Sequence, residues 1–317
     1  MVTSRYAELV EAGRIVLREE ELDIGPDQVL IRITHCGLCQ FDGAFFKGII
    51  GTLPQRIGHE PVGIIESVGK NVVGFREGER VAGLFADLRA FATHAVARPE
   101  ELVRVPQAIR SEHALVEPLK CISTIVRSAP PEFGDHVLIM GCGFMGLCTL
   151  AALIGKATAS IIAVDLLDER LVLAQEIGAT HVLRGDDPDF LKKVDSISGG
   201  RGIDVVFELT GTSSGAETAA KTMRQGRARY VLAGWYGKPE QYTLRNWTMK
   251  GAVLLAAHPN FSLDPFDDMR RGLDALERGV FPMQKLVTHS FSLEQLQEGL
   301  EMMVKSSPGY IKGVLTP

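Results

Sequence analysis

The spacing of apolar positions changes near residue 135. Before it, short apolar runs at Val29 to Thr34, Pro61 to Val68 and Arg80 to Leu84 are broken by the turn clusters Gly25-Pro26-Asp27 and Gly69-Lys70-Asn71, which predicts short strands. From Asp135 strands and helices alternate. An apolar strand from Val137 to Met140 precedes a helix, and Ser160 to Val164 is the next strand. Asp168 then caps a helix that places Leu171, Ala174 and Ile177 on one face and ends at Gly178. Further strands are predicted at His181 to Leu183, Val205 to Leu209, Tyr230 to Ala233 and Val253 to Ala256. Such alternation encodes a parallel sheet covered on both faces.

The tail changes character again. Asp264 as N-cap and Pro265 as first helical residue open a helix predicted to bury Phe266, Met269, Leu273 and Leu276, with Gly279 closing it. Ser292 and Gln295 form a capping box for a last helix carrying Leu296, Leu300 and Met303. Neither helix continues the strand-helix repeat, so the tail is expected to pack back on the first domain.

The chain has 317 residues, which at roughly 100 to 200 per domain predicts two domains. Hydrophobic residues at 45% and charged residues at 23% exclude disorder and fibrous repeats. With 34 Lys and Arg against 39 Asp and Glu, the net charge of −5 argues against nucleic acid as a partner. Five irregularly spaced cysteines, and first residues with no apolar leader, predict a reducing cytoplasm. The uncharged run from Val137 to Gly155 imitates a membrane span, but glycines at 141, 143, 146 and 155 divide it into strand, loop and helix. No membrane partner is expected.

That loop carries the first candidate chemistry. Gly141-Cys142-Gly143-Phe144-Met145-Gly146 reads G-x-G-x-x-G between a strand and a helix, and Asp165 follows 19 residues later at the end of the next strand. Glycine 141 permits a tight turn, glycine 143 lets the amides around Phe144 and Met145 reach a pyrophosphate, and glycine 146 lets helix and sheet approach. Asp165 is suited to adenosine ribose hydroxyls and repels a 2′-phosphate, so NAD is favoured over NADP. Arg170 is placed to support the adenine side.

A second set lies in the first domain: Cys36 and Cys39, His59-Glu60, and Glu117 before Pro118. No second C-x-x-C exists, so a four-thiolate structural zinc is excluded by count. A catalytic zinc needs about three protein ligands and an open position. Taken singly, Cys36 also suits a buried strand, His59 a hydrogen-bonded core and Glu117 a helix end.

In order along the chain stand Cys39-Gln40-Phe41-Asp42, Gly58-His59-Glu60-Pro61-Val62-Gly63, Val68-Gly69, Gly78-Glu79-Arg80-Val81, Glu117-Pro118-Leu119 and the glycine loop. This order resembles the medium-chain dehydrogenase/reductase superfamily, in its zinc-dependent polyol, threonine and alcohol dehydrogenase branch, over nearly the whole chain. The resemblance implies an α/β fold with a β-rich GroES-like catalytic domain at 1–118 and 261–317, and a Rossmann doubly wound parallel-sheet domain at 119–260. It implies Cys39, His59 and Glu117 as zinc ligands, Glu60 as a residue that alternates with water at the metal, and Asp42 as the acid that orients His59. It also places Thr210 and Gly211 beside the cofactor, Lys312 near its diphosphate, and Cys36 in a structural role. A homodimer or tetramer through the strand at Val253 to Ala256 is implied as well.

Two departures stand out. The lobe with four close cysteines found in many relatives is missing, since Gly83-Leu84-Phe85 runs quickly into Ala90-Phe91-Ala92-Thr93, which leaves one zinc at most. Phe41 and Ala44 occupy positions where relatives commonly carry the Ser or Thr and His of a proton relay, and neither side chain carries a proton. Glu60 or a substrate hydroxyl must then serve, and His35 and Lys47 are close in sequence. Phe41, Phe45 and Phe46 suit either a substrate wall or the core. The expected activity is NAD-dependent oxidation of a secondary alcohol such as a polyol, cyclitol or amino-alcohol, in a cleft between the domains. A biosynthetic ketone reductase, or a nucleotide-binding protein without catalysis, are the alternatives.

Overall fold

The computed structural model describes every residue except Lys238. The chain forms two compact units, Met1–Leu119 with Met269–Gly279 and Met283–Pro317, and Lys120–Asp268 with Val280–Pro282. The segment 261–268, expected with the first domain, lies in the second unit, where Asp268 accepts hydrogen bonds from Thr124 and Ser262.

The first unit opens with an antiparallel hairpin of β1 (Val2–Glu11) and β2 (Arg14–Leu22). Its apolar signal is weak because the buried positions of β1 include Ser4 and Ala7. Then come β3 (Val29–Gly37), α1 (Gln40–Phe46), β4 (Gln55–Arg56), β5 (Glu60–Val68), β6 (Arg80–Gly83), β7 (His94–Ala97) and β8 (Leu102–Arg104). β3 is the spine, pairing antiparallel with β5 and with β7. Val29, Ile31 and Ile33 alternate inward from it on to Ile65, Val81 and Phe91, where apolar area leaves water. Helix α2 (Val116–Ser128) follows.

In the second unit β9 (His136–Met140), α3 (Phe144–Leu153), β10 (Ser160–Asp165), α4 (Asp168–Ile177), β11 (His181–Arg184), α5 (Phe190–Ile197), β12 (Val205–Glu208), α6 (Ser213–Thr222), β13 (Arg229–Leu232), α7 (Arg245–Thr248) and β14 (Val253–Ala256) alternate. The sheet is parallel throughout, in the order β11-β10-β9-β12-β13-β14. That is the doubly wound order, with its switch point beside β9. β9 is buried along its whole length, as a strand covered on both faces must be. Asp168 proves to be the first helical residue of α4, behind Leu167 as cap. The amides of Leu166 and Leu167 are taken by Asp165, while Asp168 accepts from Arg184.

Helix α8 (Pro265–Glu277) leads back to the first unit through α9 (Met283–Leu286), β15 (Val287–Phe291), α10 (Leu296–Val304) and β16 (Lys312–Leu315). Asp264 caps α8 by accepting from the Asp267 amide, and Met269, Leu273 and Leu276 are buried while Phe266 is half-buried. Only half of the Ser292–Gln295 box forms: Gln295 Oε1 accepts from the Ser292 amide. β16 joins β15 in parallel and β3 in antiparallel fashion, and Leu296, Leu300 and Met303 of α10 enter the same core as β3. Leu300→Ala is expected to lower the unfolding free energy by about 2–5 kcal/mol, measured by urea denaturation.

Candidate active site

β3 ends at Gly37, and Cys39 caps the short helix α1 at the same end of the strand. β5 begins beside it with Glu60, directly after His59, because Gly37 pairs with Glu60 across the ladder. The cysteine Sγ, an imidazole nitrogen of His59 and a carboxylate oxygen of Glu60 all lie within 4.8 Å of one another. Among the described residues, no other group of three His, Cys, Asp or Glu side chains converges in this way.

Asp42, fully buried at 0% exposure, fixes this trio. Its carboxylate accepts from the amides of Cys39 (3.1 Å) and Gly58 (3.0 Å), and its Oδ1 lies 3.1 Å from His59 Nδ1. An Nδ1–H donated to Asp42 leaves Nε2 as the nitrogen that can offer a lone pair once its own proton is lost. Burial works against charging His59, but Asp42 and the neighbouring thiol outweigh it and hold the imidazole pKa well above its ordinary value. Burial pushes the Cys39 thiol up, with His59 pulling the other way.

Glu60 is 1% exposed, and its Oε1 accepts from Lys312 Nζ at 2.8 Å. Oε2 lies 2.7 Å from the same ammonium but makes no hydrogen bond. Burial raises the Glu60 pKa, Lys312 lowers it, and the charge of Glu117 raises it again. By distance the carboxylate of the close trio is that of Glu60, and Glu117, buried at the start of α2, acts on it electrostatically. A Cβ on Gly37 would stand 1.8 Å from Glu60 Oε2, so only glycine leaves room for the carboxylate.

The remaining neighbours are mostly apolar. Phe41 meets His59 edge-on at 5.6 Å and Phe45 at 5.0 Å between ring centres. Phe45, Phe46 and Cys36 belong to the core, and Ala44 is buried. Lys47 is exposed at the end of α1. His35, opposite Val62 on β3, has a buried Nδ1 without a hydrogen-bond partner, and burial lowers its pKa against the pull of Glu112.

In the second unit, β9 runs into Gly141, whose φ of 98° makes the turn, and Gly143 caps α3. A Cβ on Gly146 would lie 1.8 Å from the Gly141 carbonyl oxygen, whereas one on Gly143 would meet only Arg170 Nη1, at 4.0 Å. Helix and turn therefore touch at Gly146, and the space over Gly143 and the first amides of α3, at Phe144 and Met145, suits a diphosphate. Asp165 accepts from the amides of Cys142 (2.7 Å), Leu166 (2.8 Å) and Leu167 (3.0 Å). Three of its roughly four acceptor sites are thus used inside the protein. Arg170 Nη1 stands 3.8 Å from the same carboxylate. Thr210 lies alongside Gly141 and donates its amide to Glu208 Oε1 at 2.8 Å.

Comparison with known proteins gives this arrangement its context. Residues 25–107 match the alcohol dehydrogenase GroES-like domain, and residues 145–276 the zinc-binding dehydrogenase family. An alcohol dehydrogenase of Cupriavidus necator is 28% identical over 99% of this chain and 98% of its own length. A sorbitol dehydrogenase of Bacillus subtilis is 27% identical over 93% and 92%. The chain belongs to the medium-chain dehydrogenase/reductase superfamily, in its zinc-dependent alcohol and polyol dehydrogenase branch. In fold, this zinc-type dehydrogenase is similar to the crystal structure of 2R,3R-butanediol dehydrogenase from Bacillus subtilis, with a TM-score of 0.85, 24% identity and 99% of both chains covered. The dehydrogenase is an oxidoreductase of the alcohol and polyol type.

Two features of the dehydrogenase escape sequence reasoning. Lys312 was expected near a cofactor diphosphate, and its ammonium is bonded to Glu60, a pairing that a sequence separation of 252 hides. Glu208, fully buried at the end of β12, accepts from Thr210 and from the Tyr236 hydroxyl, and burial raises its pKa. An acid closing an otherwise apolar strand was the available signal. Gly37→Ala is expected to displace Glu60 from Lys312 and weaken divalent-metal binding at least tenfold, with far-ultraviolet circular dichroism retained; unchanged affinity by metal titration would contradict the packing described.

Proposed function

We propose that this dehydrogenase oxidises a secondary alcohol of the polyol, cyclitol or amino-alcohol class with NAD, at one zinc ion held by Cys39, His59 and a carboxylate from Glu60 or Glu117. The convergence of sulfur, nitrogen and oxygen donors within 4.8 Å carries this reading. Thiolate, imidazole and carboxylate together suit zinc. Bound zinc supplies Lewis acidity that lowers the pKa of a coordinated alcohol. Bound NAD supplies the hydride acceptor, and the glycine loop, α3 and Asp165 would hold it.

The chain's own part is positioning and proton handling. Asp42 keeps His59 in one tautomer and orientation. Phe41 excludes water from one side of the imidazole and contributes no proton route. With Glu117 as third ligand, Glu60 would be the proton acceptor that the chain provides, with burial and the charge of Glu117 favouring its protonated form and Lys312 opposing it. Asp165 favours NAD over NADP, because a 2′-phosphate would face a carboxylate already held in place by three amides. The missing cysteine lobe fits a single zinc, since β6 passes through a short loop to β7.

Assembly and compartment follow from other features. β14 is an edge strand with Val253 41% and Leu254 45% exposed, and pairing with its copy across a two-fold axis would cover it in a dimer or a tetramer of dimers. All five cysteines are free thiols, which suits the cytoplasm. Among the described residues, no helix is long and apolar enough to cross a membrane.

Cys39→Ser and His59→Ala are each expected to lose bound zinc by elemental analysis and to lower NAD-linked alcohol turnover at least 10³-fold; full activity in metal-free protein would overturn the proposal. Zinc affinity is expected to rise with pH from about 6 to about 8, with proton release on binding. The sign follows from Cys39 and His59, both held above their ordinary pKa values, so that zinc must displace protons from them. Chelator competition at several pH values measures it.

A further inference from the structure

The end of the parallel sheet away from the glycine loop carries a feature that hydride transfer leaves unused. At the N-terminal ends of β12 and β13, beside α5, lies a cavity of about 410 Å³. Five cationic side chains line it, Lys192, Arg201, Lys221, Arg224 and Lys250, against a single acid, Asp195. This concentration of positive charge stands on a chain of net charge −5.

The cations differ in how far the protein neutralises them. Arg224 is ion-paired with Asp204 at 2.7 Å, and Lys192 with Asp189 at 2.8 Å. Lys250 donates to the Met223 carbonyl, and Lys221 is exposed. Arg201 is anchored without being neutralised: its Nη2 lies 2.8 Å from Nε2 of His136. His136 is 6% exposed, and its Nδ1 lies 2.8 Å from the Ser160 hydroxyl. Burial and the charge of Arg201 hold the imidazole below its ordinary pKa, so it accepts from the guanidinium as a neutral ring. A carboxylate in that position would cancel the charge, whereas an imidazole orients the fork and leaves the charge for a ligand.

The cavity wall is also apolar in part. Leu191, 45% exposed, lines it together with the cations, while Val194 and Met223 behind it are buried in the core. Its volume lies within the range of small-molecule sites, about 300–1,000 Å³, and suits a compact ligand rather than an extended polymer. We propose that this cavity binds a small phosphate monoester with an apolar body, the phosphate meeting Arg201 and Lys221 and the body resting on the exposed side chain of Leu191. The site is separate from the glycine loop at the other end of the strands, and its existence is independent of the metal chemistry proposed above.

Phenyl phosphate and inorganic phosphate are suitable probes, titrated calorimetrically into the full-length protein. Saturable binding of phenyl phosphate is expected with Kd below about 1 mM, several-fold tighter than inorganic phosphate. The double substitution Arg201→Ala with Lys221→Ala is expected to weaken it at least tenfold while alcohol turnover stays unchanged. Lys221→Glu alone changes an exposed residue and is expected to act in the same direction, so a folding defect in the double variant does not blur the result. Absence of saturable binding, or equal affinity of wild type and both variants, overturns the site. Equal affinity for the two probes overturns the ligand class.

Discussion

A single carboxylate holds the metal-side unit in working order. Asp42 gathers the amides of Cys39 and Gly58 and the Nδ1 of His59, thereby tying α1 to the segment that leads into β5. Three such contacts on a fully buried acid join two separate stretches of chain into one unit. The position of Sγ and Nε2 relative to each other is therefore set before any ligand arrives, and the ordering cost is met in folding.

Around that junction the charges are arranged in opposition. Glu60, His59, Cys39 and Lys312 are all buried or nearly so, and each shifts the protonation of the others. A buried Glu–Lys pair is a weak source of stability, but it keeps the carboxylate in place beside the imidazole. The second unit is built on a different constraint, the close contact of helix and turn at Gly146, which leaves open space over Gly143 at the start of α3.

Much of this was legible because it rests on local order. The alternation from Val137 onward specifies the parallel sheet, and the glycine spacing specifies the turn beside β9. Cys39, Asp42 and His59 were readable as a group through resemblance to a dehydrogenase family, and the coordinates bring them together. What stayed hidden depends on tertiary pairing. The β1–β2 hairpin buries Ser4 and Ala7 where a strand pattern calls for large apolar residues. Lys312 reaches Glu60 only because β16 is inserted between β15 and β3. The helix start at Asp168 was misplaced by one residue because Asp165 captures the amides ahead of it.

The insertion of β16 also bears on how the molecule is made. Residues of the second unit, from Lys120 to Asp268, are synthesised in one block and own a complete sheet. The metal-side unit has no such autonomy, since Val314 and Leu315 pair with Gly37 and Cys36 across nearly the whole length of the polypeptide. During translation, the burial of Glu60 therefore waits on Lys312, and the nucleotide-fold block has the opportunity to mature first.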